Sequence, residues 1–249
     1  MLFKKTIQAG EKNGVQFVEG VVQFQAVRLN VYCFVVDGVL IDTSAKRLLP
    51  QMKGFFDAAD FDQVVLTHDH EDHTGGAAYI AQTKGVPIYI NGDSVARVAG
   101  RAEYPLYRKV FWGTRKSFQA MPLGEQFESR TATWDVIATP GHAADHKSFY
   151  NQQTGQLFSG DLYVAPKTKL VLRSESIPTI LDSIERVLTY DFEEVVCCHA
   201  GIVENGRAAI LEKQAYLMGL VDNVLTLSKQ GMTDKEIHKT LFPKVYPIT

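Results

Sequence analysis

Apolar positions along this chain recur with two periods. The first forty residues carry "VQFVEGVVQFQAVRL", "VYCFVVDG" and "VLIDTS", rich in Val, Phe and Ile and punctuated by Gly14, Gly20 and Gly38; they predict strands. Asp37-Gly38 is the short signal of a tight hairpin. From Ala45 to Ala59 the spacing lengthens (Leu48, Leu49, Met52, Phe55, Phe56), as on a helix packed against a sheet. A short buried strand is expected in "QVVLTH", a helix after Thr74 and a strand over 86–91. The stretch 93–117 fits neither period. It mixes aromatics with Arg97, Arg101, Arg108, Lys109, Arg115 and Lys116, and reads as an insertion of short helices and a candidate lid. Strands resume at "ATWDVIAT", "KSFYN" and "QLFSGDLYV", then a helix over Pro178 to Leu188 and a strand in "EEVVCCH". The last fifty residues read as helical, with Asn205 as N-cap, Gly231 as C′ residue and Thr233-Asp-Lys-Glu236 as a capping box. The order predicts an α/β or α+β chain, with residues 1–204 as the main domain and 205–249 as a helical extension packed on it.

Composition narrows the function. A chain of 249 residues, 45% hydrophobic, can bury one large core or two modest ones. The balance of 26 basic and 28 acidic residues argues against a dedicated nucleic-acid binder. The opening "MLFKKTIQAGEKNG" lacks the apolar stretch of a secretory signal, and no apolar run approaches the roughly 20 residues that span a bilayer. Three cysteines (Cys33, Cys197, Cys198) do not make a disulfide framework, so a reducing cytoplasmic setting is expected, with no membrane partner.

The chemistry concentrates in one decapeptide, "THDHEDHTGG" (67–76), which holds three of the chain's 7 histidines. Four separate apolar runs also end in histidine or aspartate: "VVLTH" at His68, "WDVIATPGH" at His142, "QLFSGD" at Asp161 and "EEVVCCH" at His199. Strand ends converge on one edge of a sheet, and imidazole with carboxylate at such an edge suits a first-row metal, above all zinc. His68 and His70, two apart, leave an extended chain on one side; Asp72 and His73 address a second point as the chain turns into the helix. Asp69 and Glu71, at the alternate positions, are expected to face water or backbone amides, and Gly75-Gly76 to let the backbone pass close to the metals. Alone, His199 would read as a hydrogen-bonded strand end and Asp161 as turn chemistry; the joint pattern carries the metal reading.

"THDHEDHTGG", "TPGHAADH", "FSGD" and "CCHAG", in that order, resemble the metallo-β-lactamase superfamily over roughly residues 15–205. The resemblance implies a four-layer αββα sandwich with two metals at one edge. By motif, His68, His70 and His142 would hold one metal; Asp72, His73 and His199 the other; Asp161 would bridge them. It implies two zinc ions per chain, with iron or manganese as alternatives. Lacking a signal and keeping the Asp72-His73 pair, the chain looks more like glyoxalase II and the acyl-homoserine lactonases than a secreted β-lactamase. The implied reaction is hydrolysis of a small ester, thioester or lactone by a metal-bridging hydroxide, with Asp161 and Asp72 as catalytic carboxylates. A phosphodiesterase or ribonuclease, and a mononuclear iron dioxygenase, are the alternatives on the same scaffold.

Around that set, Asp145 and His146 are candidates to hold a ligand imidazole. Tyr163 either lends a phenol to the oxyanion or packs. Lys167, Lys169 and Arg173 form a basic stretch near the expected mouth, with Lys167 and Arg173 candidates for a substrate carboxylate. Tyr104, Tyr107, Phe111 and Trp112 either wall the pocket or fill core. Cys197 and Cys198 read as core thiols, and His238 as inert. The partner is a small molecule; a homodimer is the one assembly entertained.

Overall fold

The structure is a computed structural model that describes residues 3–243. Its first sheet runs in chain order through β1 (Lys4–Lys12), β2 (Val15–Phe24), β3 (Val27–Val36), β4 (Val39–Ile41), β5 (Gln63–Val65), β6 (Ile88–Ile90) and β7 (Met121–Pro122). Pairing is antiparallel from β1 to β4 and parallel from β4 to β7. The second sheet contains β8 (Gln126–Glu128), β9 (Thr133–Ala138), β10 (Lys147–Asn151), β11 (Leu157–Gly160), β12 (Val195–Cys197) and β13 (Gly201–Val203), in the order β13-β12-β11-β10-β9-β8.

Period-two alternation assigns the faces. Phe34, Val36, Ile41 and Val65 of the first sheet meet Trp134, Phe149, Phe158 and Val196 of the second in an inter-sheet core. The alternate residues Cys33, Val35, Leu40 and Val64 face outward onto α1 (Leu49–Ala58) and α3 (Ala77–Thr83), with Met52, Phe56 and Ile80 filling the gap. On the far side Leu157, Val195 and Cys197 pack against α6 (Ile177–Val187) and α7 (Gly206–Lys229) through Ile184, Ile210 and Leu217. Helix, sheet, sheet and helix make four layers, the expected sandwich. Both faces of the central strands are buried, so they read as continuous apolar runs rather than alternating ones. Each such side chain taken from water stabilises by about 1.5–3 kcal/mol.

The differences from expectation are local. β1 is a nine-residue strand paired along its full length with β2, yet its polar sequence gave no apolar signal. It lies at the sheet edge, largely exposed, joined to β2 through Asn13 and Gly14, both at positive φ. β11 stops at Gly160, so "DLYV" is turn rather than strand. The helix expected after Thr74 is α3, and a separate short helix, α2 (Glu71–Thr74), precedes it without a signal of its own.

Residues 93–117 fold as a 3-10 turn and two short helices, α4 (Val95–Ala99) and α5 (Leu106–Trp112). Phe111 and Trp112 are buried in the first outer core, so they fill structure instead of walling a pocket. At the other end Asn205 caps α7 by backbone position alone, without a side-chain bond. Thr233 and Glu236 form the complete capping box of α8 (Asp234–Leu241). Among the described residues no helix is long and apolar enough to cross a membrane.

Candidate metal centre

The seven candidate ligands meet where the two sheets open at one end of the sandwich. His68 follows β5 of the first sheet; His142, Asp161 and His199 follow β9, β11 and β12 of the second. The expectation of one sheet edge is therefore corrected: the centre lies between two sheets, and β10 separates β9 from β11. Those last three strands run the same way, β11 parallel to β12 and β9 antiparallel to the intervening β10, so their carboxyl ends share a side.

Among the described residues four groups offer ligand atoms within 4.8 Å of one another: His68, His70 and His142; Asp72, His73 and His199; His68, His73 and Asp161, which overlaps both; and, behind His73, Asp42 with Cys198. The first two are the trios expected from the motifs. Asp161 stands between them, with Oδ2 3.2 Å from His142 Nε2, 3.3 Å from His199 Nε2 and 3.4 Å from His73 Nε2. Asp72 lies 3.7 Å from His199 and 3.9 Å from His73.

Hydrogen bonds behind the rings set their tautomers. His73 Nδ1 donates to Asp42 Oδ2 at 2.7 Å, His142 Nδ1 to Glu175 Oε1 at 2.8 Å, and His199 Nδ1 to the Asn30 carbonyl at 2.6 Å. Thr67 Oγ1 donates to Asp42 Oδ2 and so accepts from His68 Nδ1 at 3.0 Å. Each of these four rings thus turns an Nε2 lone pair inward, as imidazole ligands do. His70 instead presents Nδ1, 3.1 Å from His142 Nε2.

Four buried atoms of the candidate ligands have no hydrogen-bond partner among the described residues: His68 Nε2, His73 Nε2, Asp72 Oδ1 and Asp161 Oδ1. An unsatisfied buried polar atom costs about 1–3 kcal/mol, and four in one place call for a common partner. Inward lone pairs and carboxylate oxygens suit a cation, so the residues present fit a pair of metal ions.

Electrostatics agree. Burial, with His73 beside one ring and Arg108 beside the other, pushes His68 and His70 well below the usual histidine range, which keeps both neutral. Burial also opposes charge on His73 and His199, but Asp161 above all outweighs it, raising His73 and pushing His199 up to about 9. Asp161 is itself buried, yet His199 and His73 hold it well below the carboxylate range. A field that draws protons onto two imidazoles draws cations to the same place.

Several neighbours differ from expectation. Glu71 does not face water: its side chain is fully buried and accepts a 2.6 Å bond from Arg108 Nε, and burial pushes its pKa up to about 7. Asp69 accepts from Arg97 Nε at 2.6 Å. The glycine pair answers to backbone rather than metals: a Cβ on Gly75 would lie 2.1 Å from Lys46 N, and one on Gly76 2.5 Å from the Thr43 carbonyl. His146 holds no ligand ring; its Nε2 accepts from the Asp161 backbone N–H at 2.9 Å, and burial takes it down to about 3. Asp145 accepts from Asp69 N and Ser94 Oγ.

Tyr163, Lys167 and Arg173 leave the centre along the loop after Asp161. Tyr163 packs in the second outer core, and its carbonyl accepts from buried Lys213 Nζ at 2.6 Å. Lys167 and Arg173 are exposed and make no described ion pair. Their loop reaches the site through Glu175 instead. Reasoning from sequence missed Asp42, Thr67, Glu175 and the Arg108–Glu71 pair. Asp42 alone carried a signal, since "VLID" is one more apolar run ending in an acid.

Comparison with known proteins extends the geometry. A family model described as the metallo-beta-lactamase superfamily matches residues 26–199. A probable metallo-hydrolase of Bacillus subtilis is 28% identical over 141 residues, covering 55% of this chain and 63% of that protein. A hydroxyacylglutathione hydrolase of Xanthomonas axonopodis pv. citri is 27% identical over 148 residues, 59% of this chain and 50% of that one. The chain thus spans roughly half to under two thirds of these relatives' length. A solved metallo-beta-lactamase from Pontibacter korlensis superposes with a TM-score of 0.65 at 18% identity, over 87% of this chain and 99% of that one, a likeness of fold.

Proposed function

The chain belongs to the metallo-β-lactamase superfamily, and from that premise we propose that it is a dinuclear metal-dependent hydrolase of a small ester, thioester or lactone. The observation that supports this best is Asp161: one carboxylate oxygen within 3.4 Å of three imidazoles drawn from both trios, the other buried and unpartnered. His68, His70 and His142 would hold one ion and Asp72, His73 and His199 the other, with Asp161 between. Zinc ions held there would supply a Lewis acid for the carbonyl oxygen and would lower the pKa of a bound water from 15.7 toward about 7.

The chain's own residues do the rest. Asp161 Oδ1, free of any hydrogen bond, accepts the proton of the attacking water and returns it to the leaving group. His146 fixes the Asp161 backbone, so that carboxylate keeps one orientation. Asp42, Glu175 and the Asn30 carbonyl hold three rings at the angle a ligand needs. Among substrates, the hydroxyacylglutathione hydrolase relative favours an acyl group carried on sulfur over a phosphodiester.

The test is a panel. Purified protein, zinc-loaded and analysed for metal, is offered a thioester, a lactone and an aryl phosphodiester. Acyl substrates are expected to turn over and Asp161→Ala to abolish it. Hydrolysis of the phosphodiester alone would transfer the protein to nuclease-type chemistry, and one tightly bound iron per chain to the dioxygenase type. A wild type inert to all three would overturn the hydrolase reading.

A further inference from the structure

Arg108 sits at the metal centre on a segment the ligand motif does not include. It projects from α5, and its side chain is 16% exposed beside a fully buried Glu71. Its Nε donates to Glu71 Oε1 at 2.6 Å, while Nη2 stands 3.9 Å from Asp72 Oδ1, an oxygen of the second trio. Among the described residues neither Nη atom has a hydrogen-bond partner, Nη2 having only the 3.9 Å contact with Asp72, and neither is fully buried, so both keep access to solvent. A guanidinium carries five N–H donors in a plane. With Nε occupied, the Nη1–Nη2 edge is the free fork, the geometry that takes a carboxylate or phosphate through two parallel bonds.

The segment is braced to aim that fork. Arg97 Nε bonds Asp69 Oδ2 at 2.6 Å, Tyr104 Oη donates to the Asp69 carbonyl at 3.4 Å, and the Arg108 guanidinium lies 5.9 Å from the Tyr104 ring. Buried Arg115 ties the segment to itself, donating to the carbonyls of Arg97, Val98 and Gly100. The acids at alternate positions of the ligand motif, Asp69 and Glu71, are therefore the clasps of this segment, Asp69 holding α4 through Arg97 and Glu71 holding α5 through Arg108. Lys167 and Arg173, by contrast, are exposed and touch no candidate ligand.

We propose that the free edge of Arg108 binds an acidic substituent of the substrate, so that the preferred substrate is an acyl compound with a carboxylate near the scissile carbonyl. This rests on the hydrolase reading above. Glu71 orients the guanidinium through Nε and leaves the opposite edge to the ligand.

The experiment compares two thioesters, one ending in a free carboxylate and the other in the carboxamide of the same length. Wild type is expected to favour the acid in kcat/KM by about ten- to hundredfold, mostly through KM, as charge-assisted hydrogen bonds do. In Arg108→Met the ratio should fall to near one; Arg108→Lys, keeping charge but losing the fork, should retain part of it. A merely structural arginine would lower both substrates alike, and a ratio surviving in Arg108→Met overturns the proposal. Should burial of an unpaired Glu71 unfold that variant, Arg108→Met/Glu71→Gln carries the same test. Succinate binding by calorimetry separates the two readings: binding weakened at least tenfold in the variant, with neither thioester hydrolysed, would keep the anion site and discard the hydrolase. Equal binding by both proteins removes the anion site.

Discussion

Asp42 offers the sharpest test of how the centre is held. It is fully buried at the end of β4 with φ +59°, and one carboxylate takes four donors: Thr67 N at 2.9 Å, Thr67 Oγ1 at 2.8 Å, His73 Nδ1 at 2.7 Å and Cys198 Sγ at 3.0 Å. Through Thr67 it also sets His68, so one acid orients a ring in each trio. Asp42→Asn isolates that chemistry, because asparagine tolerates the left-handed backbone that alanine would strain. Whichever way the amide is turned, an NH2 meets at least one donor where an oxygen accepted. Removing one partner of a buried charged pair costs about 3–5 kcal/mol. At about 2–4 °C per kcal/mol for a chain this long, Tm should fall by roughly 6–20 °C in chelator-treated protein. Zinc affinity, measured by competition with a chromogenic chelator, should fall by about 10- to 100-fold. A Tm within about 2 °C of wild type together with unchanged affinity would refute the claim that this carboxylate holds the two rings.

The remaining expectations are simpler. Elemental analysis should find close to two metals per chain, with a large drop in His70→Ala; full occupancy in that variant would contradict its place in the first trio. Gly75→Ala should be scarcely soluble, since its Cβ would lie 2.1 Å from the Lys46 backbone, whereas Gly54→Ala, in open space within α1, should raise Tm by about 1–4 °C. Burial foremost raises the pKa of Asp145 above 3.8, so this group's stabilisation is complete below that value and is lost as pH rises through the raised one. In urea melts of chelator-treated protein from pH 4 to 7, wild type should therefore lose stability relative to Asp145→Asn as pH rises, and a constant difference would show that burial there is not costly.

What could be read from sequence, and what could not, follows from how far each signal reaches along the chain. The candidate ligands could be picked out because a metal needs particular atoms: His68, His70, Asp72 and His73 share a six-residue stretch, and His142, Asp161 and His199 each close an apolar run. The central strands were legible because strands buried on both faces cannot hide their composition, whereas their stacking into a sandwich came only from the resemblance carried by the motifs. Edge strand β1 had no such need, as its outer edge has no strand partner among the described residues and its side chains are largely exposed, so its polar sequence said nothing of its nine backbone pairs. The groups behind the ligands were silent for a different reason. Asp42 meets His73 across 31 positions, Glu175 meets His142 across 33 and Asn30 meets His199 across 169, and any acceptor of the right reach would serve. The motif misled at its glycine pair, which answers to backbone, and at its alternate positions. Local geometry sends Asp69 and Glu71 away from the candidate ligands, but it does not say that "away" is toward solvent; α4 and α5 occupy that side and bring Arg97 and Arg108. A carboxylate that would be free on an open loop becomes, under that segment, the anchor of a cation facing the reaction centre. On the proposed reading, the same short sequence contributes metal ligands through one set of alternating side chains and positions the arginine that selects a substrate through the other.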